Sequence, residues 1–413
     1  MQKLKSPGFG LLGEHLLHSF SPLIHSELGN YEYRLYEKKP DELEAFLLHG
    51  KFHGLNVTIP YKKEVIPFCK SLSDTARITG SVNTITRQPD GSLSGDNTDY
   101  FGFSFLVQKT GVNITKGKAL VLGSGGSSLT VQAVLRDMGA GEVVVVSRSG
   151  PINYGNIDKH SDAVLIVNTT PLGMYPDNGS SPLPDLGIFK QCKGIIDLIY
   201  NPAKTELLLQ AEERGIVTVN GLSMLVAQAK KAAELFTGSS ISNDVIEAIS
   251  KKISQKTINI VLVGMPGCGK TSIGTVLSGL TGREFADSDA FITKAASKTI
   301  PDIITEHGEK YFRRLETEML AKLCKQSGLV IATGGGVVTQ QVNRHIICQN
   351  SIVFFLDRDL NQLPISGRPL SQRDGIKALA DVRLPLYSKW SDHTVRVGDI
   401  NNTAVDIYKK ILD

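Results

Sequence analysis

The sequence predicts an α/β protein built around largely parallel sheets, and three observations carry that expectation. Strand-forming runs alternate with helical patterns almost throughout the chain. Two glycine-rich loops of different design, VLGSGGSS at 121–128 and GMPGCGKT at 264–271, each follow an apolar run and open a helical stretch. At 413 residues the chain is too long for one ordinary core, so two or three domains are expected.

Taken in order, residues 1–110 read as an α/β unit with polar residues dense at loop-like positions. KALVLG (118–123), EVVVVSR (142–148), DAVLIVNTT (162–170) and GIIDLIY (194–200) then read as buried parallel strands. Their spacing is that of a doubly wound nucleotide-binding sheet over 111–236. NGLSMLVAQAKKAAELF (220–236) is an amphipathic helix, and residues 220–250 are expected to return and complete the first unit. TGSSISNDVIEAISKKISQK (237–256) is polar and lacks aromatics, which predicts a terminal helix and a short linker, with a boundary near Lys256. INIVLVG (258–264) starts a second βα series over 257–413, continued by LVIAT (329–333) and SIVFFLD (351–357).

Composition excludes several classes. An apolar fraction of 41% with 21% charged residues is that of a soluble globular protein. A net charge of +4 is small for this length and implies neither a nucleic-acid nor a membrane partner. The five cysteines form no C-x-x-C pair, which fits a reducing compartment and offers neither a disulfide framework nor a zinc site. MQKLKSPGFG lacks the apolar core of a signal peptide and no run is long enough to span a membrane, so a cytoplasmic location is expected.

In the first loop Gly123 permits the tight turn, and Gly125, with Gly126 beside it, lets a pyrophosphate approach the backbone. Ser128 takes the third position, where a small residue allows close helix packing. An NAD site wants an acidic residue at the end of the next strand. Here Ser147, Arg148 and Ser149 stand there, and a guanidinium flanked by hydroxyls suits the 2′-phosphate of NADP(H). The second loop, with Gly264, Gly267, Cys268 and Gly269, is a triphosphate cradle for ATP. Lys270 is placed to reach the β- and γ-phosphates and Thr271 to ligate Mg²⁺; Cys268 reads as packing.

Short polar motifs name the rest. HSFSPLIH (18–25), GLNVTIPYKK (54–63), GSVNT (80–84), GDNTDYFG (95–102), NTTPLGM (168–174), DLIYNP (197–202) and GLSMLVAQA (221–229) occur in the order found in shikimate dehydrogenases, and residues 8–250 resemble that family. The resemblance implies a substrate domain beside a Rossmann-like NADP domain. It implies that Ser19 and Ser21 bind the substrate carboxylate and that Thr58, Asn83 and Gln228 bind ring hydroxyls. Lys62 and Asp99 become the catalytic pair, with Tyr200, Gly221 and Met224 bordering substrate or nicotinamide. The chemistry fits: reducing a ketone builds negative charge on oxygen, which needs a nearby proton donor. Only Ser149-Gly150-Pro151-Ile152 follows Arg148 where the family often adds a second basic residue, so NADP selection rests mainly on Arg148.

FADSDAFI (285–292), GEKYFRRLE (308–316), TGGGVV (333–338) and the GRPLS and ADVRLPLY segments within 367–387 give residues 258–400 a resemblance to shikimate kinase, a P-loop fold with a parallel sheet. It implies that Asp287 organises Mg²⁺ through water and that Asp289 accepts hydrogen bonds from substrate hydroxyls and acts as the base. Arg313 and Arg383 would clamp the carboxylate, Gly334, Gly335 and Gly336 would let the ring lie on backbone, and Arg368 would close on the γ-phosphate from a short lid. Trp390 and His393 match no motif position and read as structural. The combined expectation is a bifunctional enzyme that reduces 3-dehydroshikimate to shikimate and phosphorylates shikimate at its 3-hydroxyl. A quinate-preferring dehydrogenase and a non-catalytic regulator of quinate use are the alternatives.

Overall fold

The computed structural model describes residues 8–16, 19–364 and 375–412. It divides into two compact units: residues up to 171 with 182–200 and 210–252, and residues 172–181, 201–209 and 253 onward.

The first unit holds two sheets. One has six strands, β1 (Gly8–Gly13), β2 (Tyr33–Glu37), β3 (Phe52–Val57), β4 (Cys69–Leu72), β5 (Thr84–Arg87) and β6 (Leu93–Asp96), in the order β2-β1-β3-β5-β6-β4. It is mixed: β1 runs parallel to β2 and β3, whereas β5 is antiparallel to β3 and β6. The other sheet is parallel throughout, with β7 (Lys118–Leu122), β8 (Glu142–Val146), β9 (Leu165–Asn168), β10 (Gly194–Asp197) and β11 (Val217–Asn220) in the order β11-β10-β9-β7-β8. Helices cover a parallel sheet on both faces, which is why β9 and β10 are buried along their whole length. The chain leaves β7 for β8 on one side and then crosses to β9 on the other. That reversal opens a crevice at the carboxyl ends of β7 and β9, and the first glycine loop lies there.

The helices Asp99–Thr110 and Leu222–Thr237 pack on each other. The second also contacts the helix Ser21–Leu28 and reaches β3 and β5, and its Phe236 stacks on Phe9 of β1 with ring centroids 4.7 Å apart. Residues 220–236 thus cover the first sheet. Residues 237–256 differ from a helix followed by a linker. The helix Asp244–Thr257 runs on until a single residue, Ile258, separates it from the next strand. Its strong amphipathic pattern, with Ile246, Ile249 and Ile253 buried, keeps it helical to its end.

The second unit is a parallel sheet of β12 (Asn259–Val263), β13 (Glu284–Asp287), β14 (Leu329–Ala332), β15 (Ser351–Asp357) and β16 (His393–Arg396), ordered β13-β14-β12-β15-β16. Its central strand, NIVLV, is wholly buried and feeds the second glycine loop into the helix Lys270–Thr281. Trp390 lies in the core of this unit, and the His393 ring stacks on Phe354. Among the described residues, no helix is long and apolar enough to cross a membrane.

Candidate active sites

The first unit encloses a cavity of about 360 Å³. Ser19 and Ser21 border it from the start of the helix Ser21–Leu28, and Thr58 and Lys62 from the turn after β3. Asn83 and Asp99 reach it from either end of the β5–β6 hairpin, and Tyr200, Gly221, Met224 and Gln228 from the region after β10 and the helix Leu222–Thr237. The ten residues expected at the substrate site therefore surround one space, although they come from segments some two hundred residues apart.

At its centre Lys62 Nζ donates to Asp99 Oδ2 at 2.6 Å, with both side chains only partly exposed. Asp99 is the first residue of its helix, where a carboxylate is favoured by the helix dipole and held by rigid backbone. Ser19 Oγ accepts from the backbone N–H of Ser21 at 3.2 Å. Asn83 is buried, and its Oδ1 accepts from the Thr98 N–H at 2.7 Å, leaving its amide nitrogen as the end able to donate to a ligand. Gln228 Nε2 is spent on the Leu225 carbonyl, which leaves Oε1 as an acceptor shared with Thr98. Burial pushes the Tyr200 phenol above its ordinary range, so it faces the cavity as a neutral donor.

Asn56 also lines the cavity and was not expected there. It is buried on β3, accepts from Tyr33 O–H at 2.8 Å and donates to Thr84 Oγ1 at 3.3 Å. The signal was a lone amide inside the apolar GLNVT run.

The glycine loop of this unit sits between β7 and the helix Gly126–Asp137. Gly123 has φ +105°, and a Cβ there would meet the Thr169 hydroxyl at 2.8 Å. Gly125 and Gly126 face open space, with nothing within 4 Å of a built Cβ. Ser128 is fully buried, as the close helix packing needs. Ser147, Arg148 and Ser149 follow β8, next to β7, and Arg148 is exposed. Ser127 of the same loop lines the cavity, so the loop and the Lys62–Asp99 pair open on one space.

The second unit encloses a larger cavity of about 720 Å³. Gly267, Gly269, Lys270 and Thr271 form one wall, and Asp287, Asp289, Arg313, Gly334, Gly335, Gly336 and Arg383 line the rest. Gly264 closes the loop at φ +149°, where a Cβ would strike the Leu356 carbonyl at 2.7 Å and Cys268 Sγ at 3.0 Å. Cys268 is buried, with its sulfur 3.8 Å from Lys270 Nζ. The Lys270 ammonium donates to the carbonyls of Gly264 at 2.8 Å and Met265 at 3.0 Å. Thr271 Oγ1 donates to Asp287 Oδ2 at 2.8 Å, while Asp287 Oδ1 caps the helix Ser288–Ala296 by accepting from the N–H groups of Asp289 and Ala290. Arg368 lies outside the described residues.

Arg313 and Arg383 are both buried. Arg383 Nη1 donates to the Gly335 carbonyl at 3.2 Å, and Tyr387 O–H donates to the same oxygen. Arg313 donates to Glu316 Oε2 at 2.8 Å and to Glu309 Oε1 at 3.3 Å. Glu316, on the same face of the helix Glu309–Cys324, is a site residue that was not expected. The Arg-x-x-Glu spacing that sets them side by side was present in FRRLE but is also common on helix surfaces. Burial raises the Glu316 carboxyl above its ordinary range despite its Arg313 partner. Burial, then the charges of Glu316 and Asp287, raise Asp289 to about 6. A carboxylate poised there can take a proton near neutrality.

Comparison with known proteins follows the same division. Residues 11–85 match the family described as the shikimate dehydrogenase substrate binding domain, and residues 266–413 match shikimate kinase. The NADP(+)-type shikimate dehydrogenase of Clostridium perfringens is 35% identical over 267 residues, covering 59% of this chain and 97% of its own. The chorismate mutase/shikimate 5-dehydrogenase fusion protein of Clostridium acetobutylicum is similar in structure, with 36% identity, a TM-score of 0.58 and coverage of 61% of this chain and 99% of that one. Shikimate 5-dehydrogenase of Thermus thermophilus, solved in complex with NADP(H) and shikimate, has 31% identity, a TM-score of 0.54 and coverage of 59% and 98%.

Proposed function

We propose, for a chain that belongs to the shikimate dehydrogenase family and carries a shikimate kinase domain behind it, a bifunctional enzyme that makes shikimate 3-phosphate from 3-dehydroshikimate. The first unit reduces the ketone to shikimate with NADPH, and the second transfers the γ-phosphoryl group of ATP to the 3-hydroxyl. The observation that carries the reading is the Lys62–Asp99 pair at 2.6 Å inside a cavity ringed by hydroxyls and amides.

In the reduction, Ser19 and Ser21 hold the substrate carboxylate, and Thr58, Asn83 and Gln228 fix the ring hydroxyls. Lys62 donates a hydrogen bond to the ketone oxygen and gives up a proton as that oxygen gains charge; Asp99 holds the ammonium and stabilises it beforehand. NADPH supplies the hydride when bound. The open backbone at Gly125 and Gly126 and the adjacent helix N-terminus fit its pyrophosphate, with Gly123 making the turn. Arg148 between Ser147 and Ser149 would hold the 2′-phosphate, and Gly221 and Met224 would border the nicotinamide.

In the phosphorylation, Arg313 and Arg383 clamp the shikimate carboxylate, and the ring lies over Gly334, Gly335 and Gly336. Asp289 accepts the hydrogen of the 3-hydroxyl as that oxygen attacks phosphorus, and Lys270 with Arg368 neutralises the transferring group. The donor set fits magnesium. Thr271 Oγ1 and Asp287 Oδ2 lie 2.8 Å apart beside the phosphate loop, and magnesium in such sites takes few protein ligands and keeps its waters. Thr271 Oγ1 would be the direct ligand and Asp287 would act through water, the ion neutralising β- and γ-phosphate oxygens.

A coupled assay tests this: 3-dehydroshikimate, NADPH and Mg-ATP are supplied and both partial reactions followed. Lys62→Ala is expected to lose reduction alone and Lys270→Ala phosphorylation alone. Loss of both partial reactions in either folded variant, or faster oxidation of quinate than of shikimate, contradicts the reading.

A further inference from the structure

We infer that Arg358 is a phosphate-binding residue of the kinase site, donating from its guanidinium to the diphosphate part of the nucleotide beside Gly269. The inference rests on the kinase reading above and adds a residue to it.

Arg358 immediately follows β15, the parallel neighbour of β12, so it emerges at the carboxyl ends of the strands where open α/β sheets bind ligands. It lines the same cavity as Gly267, Gly269 and Lys270. A Cβ built on Gly269 would stand 3.8 Å from its Nη1, which puts the guanidinium against the turn whose N–H groups face phosphate.

The electrostatics of the side chain point to an anion. Its Nε is buried without a hydrogen-bond partner, and the guanidinium forms no ion pair among the described residues. The adjacent Asp359 does not neutralise it, because that carboxylate caps the following turn by accepting from the Asn361 N–H at 2.9 Å. A half-buried cation with an unsatisfied donor carries a desolvation cost that a phosphate oxygen would offset. The fixed fork of a guanidinium also matches two phosphate oxygens at once, which an ammonium cannot do. Packing alone would explain the aliphatic stem but not a guanidinium without a partner among the described residues at the wall of a nucleotide cavity.

The test uses the full chain and two probes, ADP and inorganic pyrophosphate, titrated calorimetrically against wild type, Arg358→Met and Arg358→Lys. Methionine keeps the stem and removes the charge; lysine keeps the charge and removes the fork. Arg358→Met is expected to weaken both probes by roughly ten- to a hundredfold, Arg358→Lys by less, and the KM for ATP should rise in parallel. Dehydrogenase kcat/KM and melting temperature in the same samples should stay at wild-type values, reporting an intact fold. Unchanged affinity of Arg358→Met for both probes would overturn the inference. So would a loss for ADP alone, which would move the contact to the base or ribose. If wild type neither binds ADP nor phosphorylates shikimate, the kinase reading fails along with the inference.

Discussion

The carboxylates of Asp289 and Glu316 converge on the space above Gly334: a Cβ on that glycine would meet Asp289 Oδ1 and Glu316 Oε1 at 2.7 Å each. Neither oxygen has a hydrogen-bond partner although both are buried. Two unsatisfied acceptors lie against one point, and the absent side chain at 334 is what leaves that point to them. Gly334→Ala is expected to fill it. Phosphorylation should fall by about two orders of magnitude or more, with the KM for shikimate raised, while reduction stays unchanged. Equal kinase kinetics in the alanine variant would show that the space is not used.

The pH profile of phosphorylation follows from Asp289. Its carboxyl titrates at about 6, above its ordinary value of 3.8, chiefly through burial. As the base it must be ionised, so kcat/KM for shikimate should decline as pH falls through about 6, roughly tenfold per unit below it. A profile flat down to pH 5 would remove Asp289 from that role.

The same shift has a stability consequence of opposite sense. Between pH 3.8 and about 6 the folded chain keeps a proton that the unfolded chain has released, so this group lowers stability as pH rises through that window. Asp289→Asn abolishes the cost of the buried charge. It should raise the free energy of unfolding at pH 8, by on the order of 2–3 kcal/mol at most, and bring no gain at pH 4. A variant less stable than wild type at pH 8 would contradict it.

Lys62 and Asp99 should separate in reduction kinetics. Lys62→Ala removes the proton donor and is expected to cost about 10²- to 10⁴-fold in kcat. Asp99→Asn leaves a hydrogen-bonding side chain of the same shape, so its loss should be smaller and should fall on kcat more than on KM. Steady-state kinetics of both variants decide, with kinase activity in the same preparation as the control for folding.

In the proposed reduction, cofactor choice rests on one exposed side chain, Arg148. Arg148→Ala should raise the KM for NADPH by roughly tenfold and leave that for NADH nearly unchanged, because only the 2′-phosphate distinguishes them. Selectivity that survives the substitution would place the 2′-phosphate elsewhere.

Much of this was legible in the sequence wherever local order and chemistry coincide. The glycine loops follow apolar strands and open helices, so their position at strand ends needed no tertiary information. Lys62 and Asp99 lie thirty-seven residues apart, yet each sat in its own polar motif. What escaped were residues whose role depends on what folds over them. Asn56 looked like a polar interruption of β3 until Tyr33 and Thr84 closed on it. Glu316 was one more charge on an amphipathic helix until burial beside Arg313 turned it inward. Arg358 stood between two aspartates in DRD, where nothing in the local sequence marks it for a ligand. Within 237–256 a terminal helix was expected but also a short linker, because the stretch is polar; its isoleucines recur at helical spacing, bury one face and carry the helix on to Thr257.

The two backbone carbonyls that hold the Lys270 ammonium also set a threshold. A loop whose lysine pointed freely outward would be a standing trap for every small anion the solvent carries. Here the ammonium is already satisfied, and a ligand must outbid two carbonyl oxygens to draw it out. A lone sulfate or monophosphate brings little charge to that competition, whereas a polyphosphate brings several oxygens and fills the loop as well.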